Sequence, residues 1–75
     1  MVKENIEKIR IAKGVTKSFL AKKLGLSLQG YRHIMNGCVR LDVARLKTIS
    51  DALGYESAIF LDDKLTESVI KQIKG

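Results

Sequence analysis

The chain has little of what catalytic and metal sites are built from. Its 75 residues include one cysteine, one histidine and no proline. One thiol excludes an internal disulfide and a thiolate metal site, and a single histidine makes a metal site improbable. The sequence has no paired carboxylates on a common face, no glycine-rich phosphate loop and too little chain for a cleft. We therefore expect no enzyme activity and no cofactor.

Membrane and export features are also missing. No stretch approaches the ~18 apolar residues of a spanning helix. The N-terminus carries Glu4 and Glu7 and lacks the apolar run of a signal peptide. We therefore expect a cytoplasmic protein with no membrane partner. We expect the lone Cys38 to be a bystander in a loop, and the alternative is an exposed thiol that senses oxidation.

Positive charge is abundant and unevenly placed. Lysine and arginine total 14 against 8 acidic residues, which gives a net charge of +6. Up to Lys47 there are 11 basic and 3 acidic residues, whereas from Thr48 onward there are 3 and 5. A small basic domain of this kind favours a polyanion, so the first two thirds of the chain indicate nucleic-acid binding.

The stretch 17–36 predicts two short amphipathic helices that are broken at Gly25. The first has an apolar face formed by Leu20, Ala21 and Leu24, and the second has one formed by Tyr31, Ile34 and Met35. The opposite face of the second helix is polar and consists of Gln29, Arg32, His33 and Asn36. A polar stripe on a surface helix is usually only solvated, so its position in the fold decides whether it is a binding surface.

The rest of the chain predicts further helices. Val2–Lys13 is the first, and a fourth helix presents Leu46, Ile49 and Leu53 and ends at Gly54. Thr16, Ser27 and Asp42 are the expected N-caps. The apolar run 58–61 is either a short strand or a fifth helix, and an amphipathic helix with Leu65, Val69 and Ile73 on one face follows.

Gly30 lies inside the second of the two short helices, where glycine costs roughly 0.5–1 kcal/mol relative to alanine. One explanation is that the helix comes close to the preceding helix or to DNA at this position. The other is sequence drift at a position that tolerates glycine.

The pattern of 17–36 resembles the helix-turn-helix of the Cro and repressor family, also called the XRE family. The small Ala21 stands fifth and Gly25 ninth, with apolar residues at the matching positions and Asn36-Gly37 at the end. The resemblance implies an all-α, compact, lambda-repressor-like bundle of four to five helices. Residues 1–55 are then the DNA-binding domain. Residues 56–75 are a C-terminal extension of the same compact unit, either a dimerisation element or a completion of the core.

The resemblance also implies contacts with double-stranded DNA. We expect Leu28, Gln29, Arg32 and His33 to meet bases in the major groove. We expect Arg10, Lys17, Ser27, Asn36 and Arg40 to meet phosphates. In the family, the arginine at the position of Arg10 commonly pairs with a glutamate where this chain has Met35.

Two functions from different classes remain open. The first is a sequence-specific transcriptional regulator, expected to repress as a homodimer on a palindromic operator. The second is a protein-interaction module, such as an antitoxin whose segment 57–74 covers a protein partner. A Leu65, Val69 and Ile73 face that stays exposed in a free monomer would favour the second.

Overall fold

The computed structural model describes residues 2–37 and 40–75. Within them the chain forms six helices and no strand. The helices are α1 Val2–Lys13, α2 Lys17–Lys23, α3 Leu28–Met35, α4 Val43–Leu53, α5 Ser57–Leu61 and α6 Asp63–Lys74. The predicted all-α bundle is confirmed, and the helix is the correct alternative for 58–61. Six helices exceed the predicted four to five because both parts of the extension are helical.

Helix α1 is the centre of the bundle. It packs against α4, α5 and α6, while α2 packs against α3 and α4. Its buried side chains are Asn5, Ile6 and Ile9. The core is completed by Leu20, Ala21, Tyr31, Leu46, Ile49, Leu53, Phe60, Val69 and Ile70. The extension therefore contributes apolar side chains to the same core as the helices before it.

Polar side chains begin four of the helices. Thr16, Ser27 and Asp42 each accept a hydrogen bond from the backbone N–H three residues later, at 2.8 to 3.1 Å. These three predicted N-caps are confirmed. Asp62 caps α6 in the same manner and was not predicted. Each cap satisfies a backbone donor that the first helical turn leaves without a partner.

The buried face of α6 coincides only in part with the predicted apolar face. Leu65 is 43 % exposed, whereas Thr66, Val69 and Ile70 are buried. A spacing of four residues alone drifts around the helix, and the packed face follows i, i+3 and i+4. Thr66 is accommodated in the core because its hydroxyl donates to the carbonyl of Ile59 at 2.6 Å.

A buried asparagine joins α1 to the extension. Nδ2 of Asn5 donates to the carbonyl of Phe60 and to Oδ1 of Asp63, both at 2.9 Å. No helix in the described ranges is both long and apolar enough to cross a membrane. The expectation for Cys38 concerns a residue outside the described ranges.

Candidate nucleic-acid interface

The turn between α2 and α3 is built by its glycine. Gly25 has a φ of +70°, a conformation that side chains with a Cβ rarely adopt. Its N–H donates to the carbonyl of Lys22 at 3.1 Å, and the N–H of Leu26 donates to that of Ala21 at 2.9 Å. These bonds close a Schellman motif, which ends α2 and redirects the chain into α3.

Helix α3 presents two contrasting faces. Tyr31 and Ile34 are buried, and Met35 is half-buried. The polar side chains Gln29, Arg32, His33 and Asn36 are all exposed, and Leu28 is half-buried at the first turn. Three of the four residues expected to meet bases, Gln29, Arg32 and His33, therefore lie together on the exposed side of a helix whose other side is packed in the core.

Two residues of the exposed stripe contact each other. Nε2 of Gln29 lies 3.0 Å from Nε2 of His33, one helical turn later. In the neutral imidazole tautomer with its proton on Nδ1, the amide of Gln29 donates to the ring. This contact uses one amide hydrogen of Gln29 and restricts the orientation of its side chain.

Gly30 lies at a close approach, but not one to α2. A Cβ at this position would stand 3.3 Å from Cβ of Leu26 and 3.5 Å from Oγ of Ser27. Both neighbours belong to the segment that enters α3. A larger residue at position 30 would therefore require that segment to move by a few tenths of an ångström.

Helix α3 is connected to α1 by a partly buried polar contact. The phenol of Tyr31 donates to Oε2 of Glu7 at 2.8 Å. Glu7 also accepts from Nε and Nη2 of Arg10 at 2.9 and 3.0 Å, and Nη1 of Arg10 donates to the carbonyl of Val15 at 2.7 Å. The network joins α3, α1 and the segment that precedes α2.

The titration of these groups reflects the network. Burial raises the pKa of Glu7, but hydrogen bonds from Arg10 and Tyr31 outweigh it, so the pKa lies below its ordinary value. Burial and the contact with Glu7 raise the pKa of Tyr31 well above its usual range. Glu7 is therefore the charged acceptor and Tyr31 the protonated donor at neutral pH.

The residues expected to meet phosphates fall into two groups. Lys17, Ser27, Asn36 and Arg40 are exposed, and the charge of Lys17 is near enough to lower the pKa of Glu7. The side chain of Arg10 is only 11 % exposed and its guanidinium is held by Glu7 and Val15. Glu7 thus pairs with Arg10 in place of the glutamate that the family commonly has where this chain has Met35.

A model of the helix-turn-helix family matches residues 6–60. The chain belongs to the XRE-type helix-turn-helix family. No curated protein and no solved structure matches it significantly. The match spans α1 to α5 and includes the α2–turn–α3 unit described above.

Membership of the XRE family relates the exposed stripe to DNA binding. Members are DNA-binding regulators of transcription, and the stripe lies on α3, the second helix of the motif. In this XRE-type protein, the sequence predicted the exposed polar stripe of α3. It did not predict the hydrogen bonds among Tyr31, Glu7 and Arg10 that hold the helix from behind. Glu7 and Arg10 are spaced i, i+3 on α1, a signal that is also common in pairs on solvated surfaces.

Proposed function

We propose that the protein is a sequence-specific transcriptional repressor that places α3 in the major groove and binds a palindromic operator as a homodimer. The observation that carries this proposal is the exposed row of Gln29, Arg32 and His33 on a helix whose opposite face is buried. A helix anchored in this way presents its side chains to base edges in a fixed orientation.

Gln29 is the principal base reader in this proposal. Adenine offers an acceptor at N7 and a donor at N6, which an amide matches with one N–H and its oxygen. His33 engages one amide hydrogen of Gln29 at 3.0 Å, so the other hydrogen and Oε1 remain for the base. His33 therefore supports Gln29 in addition to its own expected contact with an acceptor edge.

The other base contacts follow from side-chain chemistry. Arg32 is exposed and matches guanine O6 and N7, or alternatively a phosphate. Leu28 is half-buried at the start of α3 and offers an apolar surface to a thymine methyl group.

Phosphate contacts orient the domain on the duplex. We assign them to Lys17, Ser27, Asn36 and Arg40, which are all exposed around the α2–turn–α3 unit. The excess of basic residues before Thr48 supports this orientation through long-range attraction. We assign Arg10 a structural function first, since both of its hydrogen-bonding partners lie within the chain.

A homodimer is proposed because one domain of this size reads only a short site. Two copies related by a two-fold axis read two half-sites about one helical turn apart, which matches a palindromic operator. Occupying such a site within a promoter would block transcription. The alternative, an antitoxin that uses segment 57–74, has less support because Val69 is buried and Ile73 is half-buried.

The test is the selection of bound duplexes from a random DNA pool at about 150 mM salt, where non-specific binding is weakened. Binding stoichiometry is read from the mass of the complex on a recovered duplex. We expect an inverted repeat bound by two chains. Failure to enrich any sequence would contradict the proposal, and a Gln72→Ala variant, altered on α6, serves as the control.

A further inference from the structure

The exposed side of α3 carries the one histidine of the chain, and this residue contacts the proposed base reader. Nε2 of His33 lies 3.0 Å from Nε2 of Gln29, and both side chains are exposed. Histidine is the side chain whose charge ordinarily changes between about pH 5 and 8. The atoms that Gln29 offers to a base therefore depend on the charge state of an imidazole.

Beside a neutral ring, the contact between the two nitrogens fixes the orientation of the amide. The amide nitrogen of Gln29 can only donate, so Nε2 of His33 accepts and the ring proton lies on Nδ1. Gln29 then turns its nitrogen toward the ring and its oxygen away from it. The end of the amide that is free for a base is consequently an acceptor, with the remaining N–H beside it.

Protonation of His33 removes the acceptor from this contact. Both ring nitrogens of an imidazolium donate, and two donors cannot share a hydrogen bond. Rotation of the Gln29 amide by half a turn restores the bond, because Oε1 then accepts from the protonated ring. The new bond has a charged donor and is stronger than the neutral one. The amide nitrogen now occupies the free end, which has changed from an acceptor to a donor.

The two orientations of the amide suit different purines. With oxygen at the free end, Gln29 accepts from the N6 amino group of adenine while its N–H donates to N7. With nitrogen at the free end, the same position donates, which suits O6 of guanine and opposes N6 of adenine. The helix itself does not have to move, since Tyr31 and Ile34 hold its other face in the core.

The other charged groups around α3 keep their charge over this range. Helix α3 packs against α2 and contacts α1 through Tyr31 and Glu7. Lysine and arginine stay protonated at about pH 5 to 8, and Glu7 stays ionised because its pKa lies below the ordinary 4.5. The charged residues concerned are Lys17, Lys22 and Lys23 on α2, Lys3, Glu7 and Arg10 on α1, and Arg32 on α3. A change in base preference over this range therefore reports on His33.

We propose that the protonation state of His33 selects the purine that Gln29 reads, with adenine preferred beside the neutral ring and guanine beside the protonated ring. The inference rests on the proposed function, because it requires Gln29 to meet a base. It makes His33 a positioning residue for Gln29, which is distinct from its own expected contact with an acceptor edge.

The first test compares the affinities of the protein for two duplexes. Both are the inverted repeat from the selection, and they differ only in carrying A·T or G·C at the position where Gln29→Ala removes the preference. We expect the ratio of affinities, adenine duplex over guanine duplex, to fall about tenfold or more from about pH 7.5 to 5.5, because matched hydrogen bonds become mismatched. The ratio is the readout because a positive charge on His33 strengthens binding to both duplexes alike.

Two variants separate the charge of His33 from its other contributions. His33→Gln carries an amide that does not titrate, so its ratio should be the same at both pH values. His33→Lys offers donors only, so its ratio at about pH 7.5 should already match that of the wild type at about pH 5.5. An equal change of the ratio with pH in the wild type and in His33→Gln would overturn the assignment.

An NMR titration of the free protein tests the pair independently of DNA. The side-chain amide signals of Gln29 should shift with pH along the same curve as the ring signals of His33, and they should stay constant in His33→Gln. Gln72 on α6 is exposed and provides the matched control, whose amide signals should not follow the ring. Constant Gln29 signals in the wild type would overturn the inference even if an operator were found.

This inference and the proposed function fail in different ways. No enriched duplex at either pH would contradict the proposed function and, with it, the preference assigned to Gln29. An inverted repeat whose preference at the Gln29 position is the same at both pH values would contradict this inference alone.

Discussion

The phenol of Tyr31 lies 2.8 Å from Oε2 of Glu7, and this contact connects α3 to α1. Tyr31 is fully buried, so the hydrogen bond fixes both the depth and the rotation of α3. The exposed residues of α3 then point outward in one defined direction. The proposed reading of bases by α3 thus depends on a residue on the opposite side of the helix.

Tyr31→Phe tests that connection. The variant keeps the ring in the core but removes the donor to Glu7, which retains Arg10 as a partner. A hydrogen bond to a charged group contributes about 1.5–3 kcal/mol, so we expect a loss of this order in the free energy of unfolding by urea. Tyr55→Phe, on a half-buried tyrosine outside the network, should cost less. Equal stability of Tyr31→Phe and wild type would show that the contact contributes nothing.

Stability should fall in acid because of Glu7. Burial raises its pKa, but the bonds from Arg10 and Tyr31 prevail and place it below the ordinary 4.5. The folded state therefore binds the proton less readily than the unfolded state. The contribution is complete above the unfolded pKa and is lost as pH falls through the folded pKa. Urea unfolding of Glu7→Gln should depend less on pH than that of the wild type between about pH 5 and 3. Parallel pH profiles would contradict this.

Replacing Arg40 should change the salt dependence of binding. Arg40→Gln removes the phosphate contact proposed for this residue, so affinity should fall on every duplex and the slope against log salt should become shallower by about one. A duplex with a single half-site is used, so that contacts between two bound copies do not contribute to the slope. Lys71→Gln removes the same charge from the exposed side of α6 and should leave the slope unchanged. An unaltered slope in Arg40→Gln would remove this residue from the interface.

Gln29 and His33 should act together in binding. Their nitrogens are 3.0 Å apart, so removing either side chain also disturbs the other. On the selected duplex, a double-mutant cycle of Gln29→Ala and His33→Ala should give an interaction energy of about 0.5–3 kcal/mol. Strictly additive effects would mean that the two residues contact DNA independently.

Much of the fold could be predicted from the sequence, because local side-chain chemistry sets where the helices begin and end. Thr16, Ser27 and Asp42 have side chains that satisfy orphan N–H groups, and Gly25 tolerates the positive φ of the turn. The exposed stripe of α3 was likewise predictable, since helical periodicity separates it from the buried Tyr31 and Ile34. Each of these features is determined by residues within one or two helical turns of one another.

Features that depend on tertiary packing were harder to predict. The run 58–61 is short and uniformly apolar, so periodicity could not distinguish a strand from a helix. The spacing of Leu65, Val69 and Ile73 predicted an apolar face of α6 but not which part of it is buried, because the contact between α6 and α1 sets the buried face. The sequence lacks the family's glutamate partner for Arg10, since Met35 stands at that position, and the pairing with Glu7 on the same helix was not predicted.

The most direct test of base reading by α3 is selection from random duplexes with the wild type and Gln29→Ala in parallel, at about 150 mM salt. The wild type should return an inverted repeat. The variant should return the same repeat without preference at one symmetric position, and bind the wild-type sequence ~1–3 kcal/mol more weakly. Identical preferences at every position, or an equal loss of affinity on all duplexes, would contradict the account.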